Sequence, residues 1–180
     1  MFVGAEKARM EYGDPLPPEE LETLWGRPGF LIRRAHQIAQ TLFLAEAGDL
    51  VMTATQYGVL RIIAACPGVD QIGVARLLGQ DRSTTAFVLD KLVTDGLVER
   101  RRSVADRRRR ELALTRRGEV VVRDMSGRVR RAQDRLLSPF TPDEAEQLLA
   151  MLRTLVNTFN DVARTPLDPA ARHRAAPRGP

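Results

Sequence analysis

Residues 97–117 read LVERRRSVADRRRRELALTRR, and their order decides the fold. Nine arginines against three acids give this stretch +6, whereas the whole chain of 180 residues carries +5. The other 159 residues therefore sum to −1, so the positive charge is focused on one element rather than spread over the surface. Leu97-Val98 and Leu112–Leu114 supply the apolar flanks of two short strands, expected at 97–102 and 108–114 around a turn. Immediately upstream, DRSTTAFVLDKLVTDG (Asp81–Gly96) reads as a short helix capped by Asp81 and stopped by Gly96. A helix with hydroxyls at its start, followed by an arginine-tipped hairpin, suits contact with duplex DNA.

Working outward, the helix signals are local and clear. Leu31, Ala35, Ile38, Leu42 and Ala45 recur at spacings of three and four, predicting a helix over 29–47. Thr53 with Gln56 makes a capping box for a second helix, which Pro67-Gly68 ends. Asp70 caps a short third helix over Gln71–Leu78, and Gly79 breaks it. After the hairpin, Thr115 starts a helix running to about 137. TPDE (Thr141–Glu144) then opens the last one, with threonine at the cap, proline first and glutamate third. That helix carries Ala145, Leu148, Leu149, Leu152, Leu155, Val156, Phe159 and Val162 at helical spacing. Helix, helix, helix, helix, hairpin, helix, helix is the order of a winged helix–turn–helix with helices outside it.

Composition narrows the function classes. The two histidines are His36 and His173 and the single cysteine is Cys66, so no Cys/His metal cluster and no disulfide framework is expected. No HExxH, GxSxG, CxxC or phosphate-cradling glycine loop occurs, which argues against an enzyme and leaves no cofactor expected. Cys66 ends the apolar run LRIIAACPG and reads as a small buried residue. The first residues (MFVGAEKARMEYGD) lack the apolar centre of a signal peptide, and no run approaches a membrane span. A soluble, cytoplasmic protein with no membrane partner is expected. Residues 1–20, with Pro15, Pro17 and Pro18, look irregular, and 165–180 hold four of eleven prolines and read as disordered.

The chain resembles the MarR family of bacterial transcription regulators over about residues 28–163. The matching phrases are MTATQYGVLRII (52–63) and GVDQIGVARLLGQDRSTTAFVLDKLVTDGLVERRRSVADRRRRELALTRRG (68–118). Within them, Asp106-Arg107-Arg108 in the wing followed by LTRRG (114–118) is specific to this group. The resemblance implies a mainly α fold, a winged helix–turn–helix with a two- or three-stranded β-wing, and terminal helices forming a dimerisation domain. The expected divisions are an arm (1–28), a first helix of the dimerisation region (29–52), the DNA-binding domain (53–114), C-terminal dimerisation helices (115–164) and a disordered tail (165–180). The resemblance further implies a homodimer, a palindromic operator in double-stranded DNA, and repression relieved by a small-molecule effector.

On a helical wheel, Val88, Leu89, Leu92 and Val93 face the core. Ser83, Phe87, Asp90 and Thr94 lie opposite, with Thr84 and Lys91 at the margin. Short hydroxyls approach base edges or phosphates closely, and exposed Phe87 suits a thymine methyl. Ser83 and Thr84 also serve as caps, a role compatible with facing the groove. By the resemblance, Arg108 enters the minor groove with Asp106 orienting it. Arg107, Arg109 and Arg110 read as phosphate or solvent contacts, Arg82 as a DNA contact at the start of the helix, and Gln71 as a backbone contact. Leu148, Leu152, Leu155 and Phe159 are the expected dimer contacts.

On the first helix, Arg33, His36 and Gln40 fall beside one another near Ile32 and Phe43. They suit an aromatic carboxylate or similar anion, or else interhelical hydrogen bonds. A first helix of the type PGFLIRRAHQ (28–37) resembles that of regulators of aromatic-compound breakdown, which implies phenolic acids or their coenzyme A thioesters as effectors. The rival readings are an architectural DNA-binding or protein-binding winged helix and, within the family, a cysteine redox sensor.

Overall fold

The computed structural model describes residues 18–103 and 110–172. Its elements run α1 (Pro18–Trp25), α2 (Pro28–Ala47), α3 (Ala54–Ala65), α4 (Gln71–Leu78), α5 (Arg82–Thr94), β1 (Val98–Arg102), β2 (Arg110–Leu114), α6 (Arg116–Leu137) and α7 (Pro142–Thr158). Single 3-10 turns follow α2, at Gly48–Leu50, and α7, at Asn160–Val162. The described residues fall into two compact units that divide between Gln37 and Ile38.

In the first unit, the arm expected to be irregular is helical from Pro18 to Trp25. Proline at the first helical position lacks only an N–H that would find no partner inside the helix anyway. Leu21, Leu24 and Trp25 are exposed on it.

In the second unit, helix starts follow their caps. Thr53 accepts from Gln56 N–H while the Gln56 side chain accepts from Thr53 N–H, closing the capping box of α3. Thr141 and Glu144 close the same box on α7. Asp70, Asp81 and Thr115 cap α4, α5 and α6. The core joins Phe43 and Ala47 of α2 to Val59, Leu60 and Ile63 of α3, Val74 of α4, and Leu89 and Leu92 of α5. Val98, Leu112 and Met125 close it from the hairpin and α6.

β1 and β2 pair antiparallel, from Val98 opposite Leu114 to Arg102 opposite Arg110. The sheet has two strands, and Leu112 N–H also donates to Val69 O at 2.8 Å, pinning the hairpin to the loop before α4. Gly118 is required where α6 leaves the wing, because a Cβ there would collide with the Leu97 carbonyl.

α6 is tied to the end of α2 by three arginines on one face. Arg128 Nη1 donates to Ala47 O at 2.5 Å and to Asp49 at 2.6 Å, and Arg131 and Arg135 each bond Glu46 at 2.9 Å. These bonds hold the Glu46 carboxyl below its ordinary range, with Arg135 the larger cause and Arg131 next.

On α2, Leu31 and Ile38 of the apolar stripe are exposed in the protomer, and Phe43 and Ala47 are the buried pair; Phe43 stacks obliquely on Tyr57, 6.2 Å between centroids. Two expectations are corrected. α7 ends at Thr158, so its stripe continues into a 3-10 turn. The tail read as disordered from 165 is packed as far as residue 172. Asn160 exchanges two hydrogen bonds with the Leu167 backbone, at 2.8 and 3.0 Å, Asp168 N–H donates to Arg76 O at 2.9 Å, and Ala171 is buried. Proline content misleads there because it fixes φ without preventing an extended segment from docking.

Candidate nucleic-acid interface

α4 and α5 form the helix pair on which the interface is built. α4 ends at Gly79, whose φ of +60° is the left-handed conformation that a helix stop requires, and Gln80 N–H returns to Ala75 O at 3.0 Å. The chain then turns at once into α5, buried through Val88, Leu89 and Leu92 as expected. Thr85 joins them, fully buried, because its hydroxyl donates to Asp81 O at 2.8 Å.

Outward, α5 presents Arg82, Ser83, Thr84, Phe87, Asp90, Lys91 and Thr94, all exposed. Phe87 is 76% exposed, so nothing in the protomer accounts for a phenyl ring at that position. Ser83 Oγ donates to Asp81 Oδ1 at 2.6 Å, Thr84 Oγ1 donates to Oδ2 at 2.7 Å and Thr84 N–H to Oδ1 at 2.8 Å. With three donors converging on it, Ser83 foremost, the Asp81 carboxyl is held far below the usual carboxylate range. Both hydroxyls thus have the capping role and the outward position together. Lys91 is bonded to Asp95 at 2.5 Å, a pairing legible from its four-residue spacing. Gln71, the first residue of α4, is half-buried.

The wing is locked to α5 by a contact the sequence did not reveal. Arg100 Nη2 donates to Asp90 Oδ1 at 2.6 Å, joining β1 to the outward face of the helix. Arg101 pairs with Glu99 on the other face of the strand. At the open end of the ladder Arg102 faces Arg110, both exposed. Like charges directly opposite destabilise a hairpin unless an anion lies between them. Asp106, Arg107, Arg108 and Arg109 lie outside the described residues.

Arg33, His36 and Gln40 share α2 at helical spacing, and the Arg33 guanidinium lies over the Phe30 ring, 4.8 Å from its centroid. Among the described residues no three His, Cys, Asp or Glu side chains converge as metal ligands, and no helix is long and apolar enough to cross a membrane.

A sequence model described as MarR family matches residues 52–109, from just before α3, past β1 and short of β2. Transcriptional regulator HosA of Escherichia coli O157:H7 is 30% identical over 136 residues, 76% of this chain and 99% of its own. The chain belongs to the MarR family. Its fold agrees with solved MarR-family structures. PcaV of Streptomyces coelicolor, a transcriptional regulator in complex with its natural ligand, is 34% identical with a TM-score of 0.68, over 74% of this chain and 94% of that one. The transcriptional repressor CouR, bound to a 23-mer DNA duplex, is 32% identical with a TM-score of 0.70, over 79% and 99%. CouR of Rhodococcus jostii RHA1 bound to p-coumaroyl-CoA is 27% identical with a TM-score of 0.64, over 73% and 93%. The mainly helical architecture with a small antiparallel wing is therefore that of MarR-family transcription regulators.

Proposed function

We propose that this MarR-family protein is a ligand-responsive repressor that binds a palindromic operator as a cytoplasmic homodimer and has no catalytic activity. The observation that carries the reading is the exposed phenyl ring of Phe87 amid polar side chains on α5, beside a wing strand bonded to the same helix face. α5 enters the major groove, where Ser83, Thr84, Phe87 and Lys91 meet base edges. Arg82, Arg102, Arg107 and Arg110 attract phosphate, Gln71 touches the backbone, and Arg108 enters the minor groove with Asp106 orienting it.

One such helix spans too few base pairs for selectivity, so a second copy is needed. The exposed apolar side chains of α7 and its C-cap support pairing: Leu152, Leu155 and the capping Phe159 are each 42% exposed or more, and no α7 residue is buried in the protomer. For the effector, an aromatic acid or its coenzyme A thioester is the reading, received beside Arg33, His36 and Gln40. It is supported by the likeness to PcaV with its natural ligand and to CouR with p-coumaroyl-CoA.

Footprinting on the DNA upstream of the protein's own gene, with and without aromatic acids and thioesters, tests the whole reading. The expected result is a protected two-fold symmetric site released by one of these compounds. Equal affinity for that site and random duplex instead favours an architectural role and overturns the repressor.

A further inference from the structure

The segment after α7 returns to the helix–turn–helix and brings a third arginine to it. Arg164 stands two residues after the Asn160–Val162 turn and lines one cleft with Arg76, Gln80, Asp81, Arg82 and Asp168. The segment is fixed on both sides of the cleft. Asn160 clasps the Leu167 backbone through both its amide nitrogen and its oxygen. Asp168 N–H donates to Arg76 O at 2.9 Å, a carbonyl at the end of α4 that also accepts from Gly79 N–H. At the helix stop, a Cβ on Gly79 would sit 3.3 Å from Thr165 O and 3.6 Å from Leu167 Cα, so a glycine there serves both the left-handed turn and the close approach of the segment.

The charges in the cleft are sorted by depth. Arg76, Arg82 and Arg164 are exposed, whereas Asp81 and Asp168 are half-buried. Both carboxylates are engaged locally: Asp81 takes the hydroxyls and N–H at the start of α5, and Asp168 Oδ1 accepts from Ala170 N–H at 3.1 Å. What faces outward is cationic, three guanidinium groups beside the turn between α4 and α5.

We propose that Arg164, seated by the segment after α7, is a phosphate-binding residue of the DNA interface, acting with Arg76 and Arg82 on the strand that passes the turn between α4 and α5. The inference rests on the operator-binding reading above. In a docked helix–turn–helix the first helix crosses the backbone and the start of the second meets base edges, so the turn between them lies over phosphates. The guanidinium is the group for such a contact, and a salt-sensitive, sequence-independent grip is what it supplies. Because Arg164 adjoins the end of α7, the same segment links the proposed dimer helix to the reading head.

The test compares wild type, Arg164→Gln, Arg164→Lys and Asn160→Ala by fluorescence anisotropy on the footprinted duplex and on a random duplex, across a range of salt. Arg164→Gln is expected to weaken both duplexes alike, roughly fivefold to tenfold near physiological salt, and to flatten the salt slope by about one phosphate per subunit. Arg164→Lys retains most of the slope. Asn160→Ala, which frees the segment but keeps the arginine, falls between. An unchanged slope for Arg164→Gln, or a loss confined to the specific duplex, overturns the assignment while wild-type binding leaves the broader reading standing. Failure of wild type to bind either duplex overturns both.

Discussion

Ser83 Oγ donates its proton to Asp81 Oδ1 at 2.6 Å, and Thr84 Oγ1 does the same to Oδ2 at 2.7 Å. With those protons committed, both hydroxyls turn lone pairs outward and meet a duplex as acceptors. Acceptors suit the amino groups of cytosine and adenine in the major groove and repel phosphate oxygens. Asp81→Asn keeps a good helix cap but puts an amide N–H₂ within reach of the hydroxyls, freeing a hydroxyl proton to point outward. The expected outcome is an altered ranking of operator variants in competition binding, at little change in melting temperature. An identical ranking removes Asp81 from the specificity argument.

Phe87 gives a test of base contact without a fold penalty. Its ring is 76% exposed, so Phe87→Ala removes almost no buried surface and leaves thermal stability unchanged. Operator affinity is expected to fall by roughly tenfold, the scale of one lost base contact. Replacing thymine by uracil at successive operator positions deletes one methyl at a time. One such position weakens wild type and leaves Phe87→Ala indifferent; if none does, the ring is not reading a methyl.

Helix ends were legible from sequence because a cap is a local event: Thr53, Asp70, Asp81, Thr115 and Thr141 each bond a backbone N–H three residues on. The buried face of α5 was legible for the same reason, since 3.6-residue periodicity needs no tertiary information. What a face packs against was not. Periodicity on the first helix marks Leu31, Ala35, Ile38, Leu42 and Ala45 as one face, whereas burial within the protomer falls on Phe43 and Ala47, because a stripe does not say which chain covers it. Arg100 and Asp90 stand ten residues apart on different elements, so only the fold brings them together. The docking of residues 165–172 depends on Asn160 reaching across seven residues to Leu167, a contact that composition cannot signal.

That Arg100–Asp90 bond predicts a division of labour in the wing. Both partners are solvent-accessible, so breaking the pair costs stability no more than about 1 kcal/mol. Arg100→Ala nevertheless releases the wing from α5, and operator affinity is expected to drop more than the melting temperature suggests. Arg108→Ala is expected to weaken operator binding by about 1–3 kcal/mol with the fold intact. Titrations at moderate salt decide both, and unchanged affinity for Arg108→Ala removes the wing tip from the mechanism.

Acid should loosen the junction between α2 and α6. Glu46 is held below its ordinary pKa by Arg135 and Arg131, and Asp49 below its own by Arg128. A carboxylate whose folded pKa is depressed contributes stability that is fully present above its unfolded pKa, near 4.3 for glutamate, and is lost as pH falls through the lowered folded value. Melting temperature should therefore be level from pH 7 to about 5 in this respect and decline below. Glu46→Gln melts lower than wild type at neutral pH, and the gap narrows toward pH 3, where wild type has lost the same ion pairs. A gap independent of pH would contradict the ion-pair account.

The apolar surface of α7 makes the last prediction. On α7, which has no buried side chain, Leu152 and Leu155 are both 42% exposed and Val156 more than half, and Phe159 just past its end is more than half exposed too. A contiguous apolar stripe left in water is the mark of an interface, and a second copy supplies a stripe of the same kind by two-fold symmetry. Wild type is expected to sediment as two chains at micromolar concentration. Leu152→Glu with Leu155→Glu places four charges in the paired stripes and should give a monomer. Because neither leucine is in the protomer core, the helix–turn–helix of that monomer stays folded by circular dichroism. Its affinity for a full palindrome should then drop toward that for a single half-site, since two linked contacts become two separate ones. A wild-type monomer, or a charged variant that remains dimeric, would move the interface away from α7.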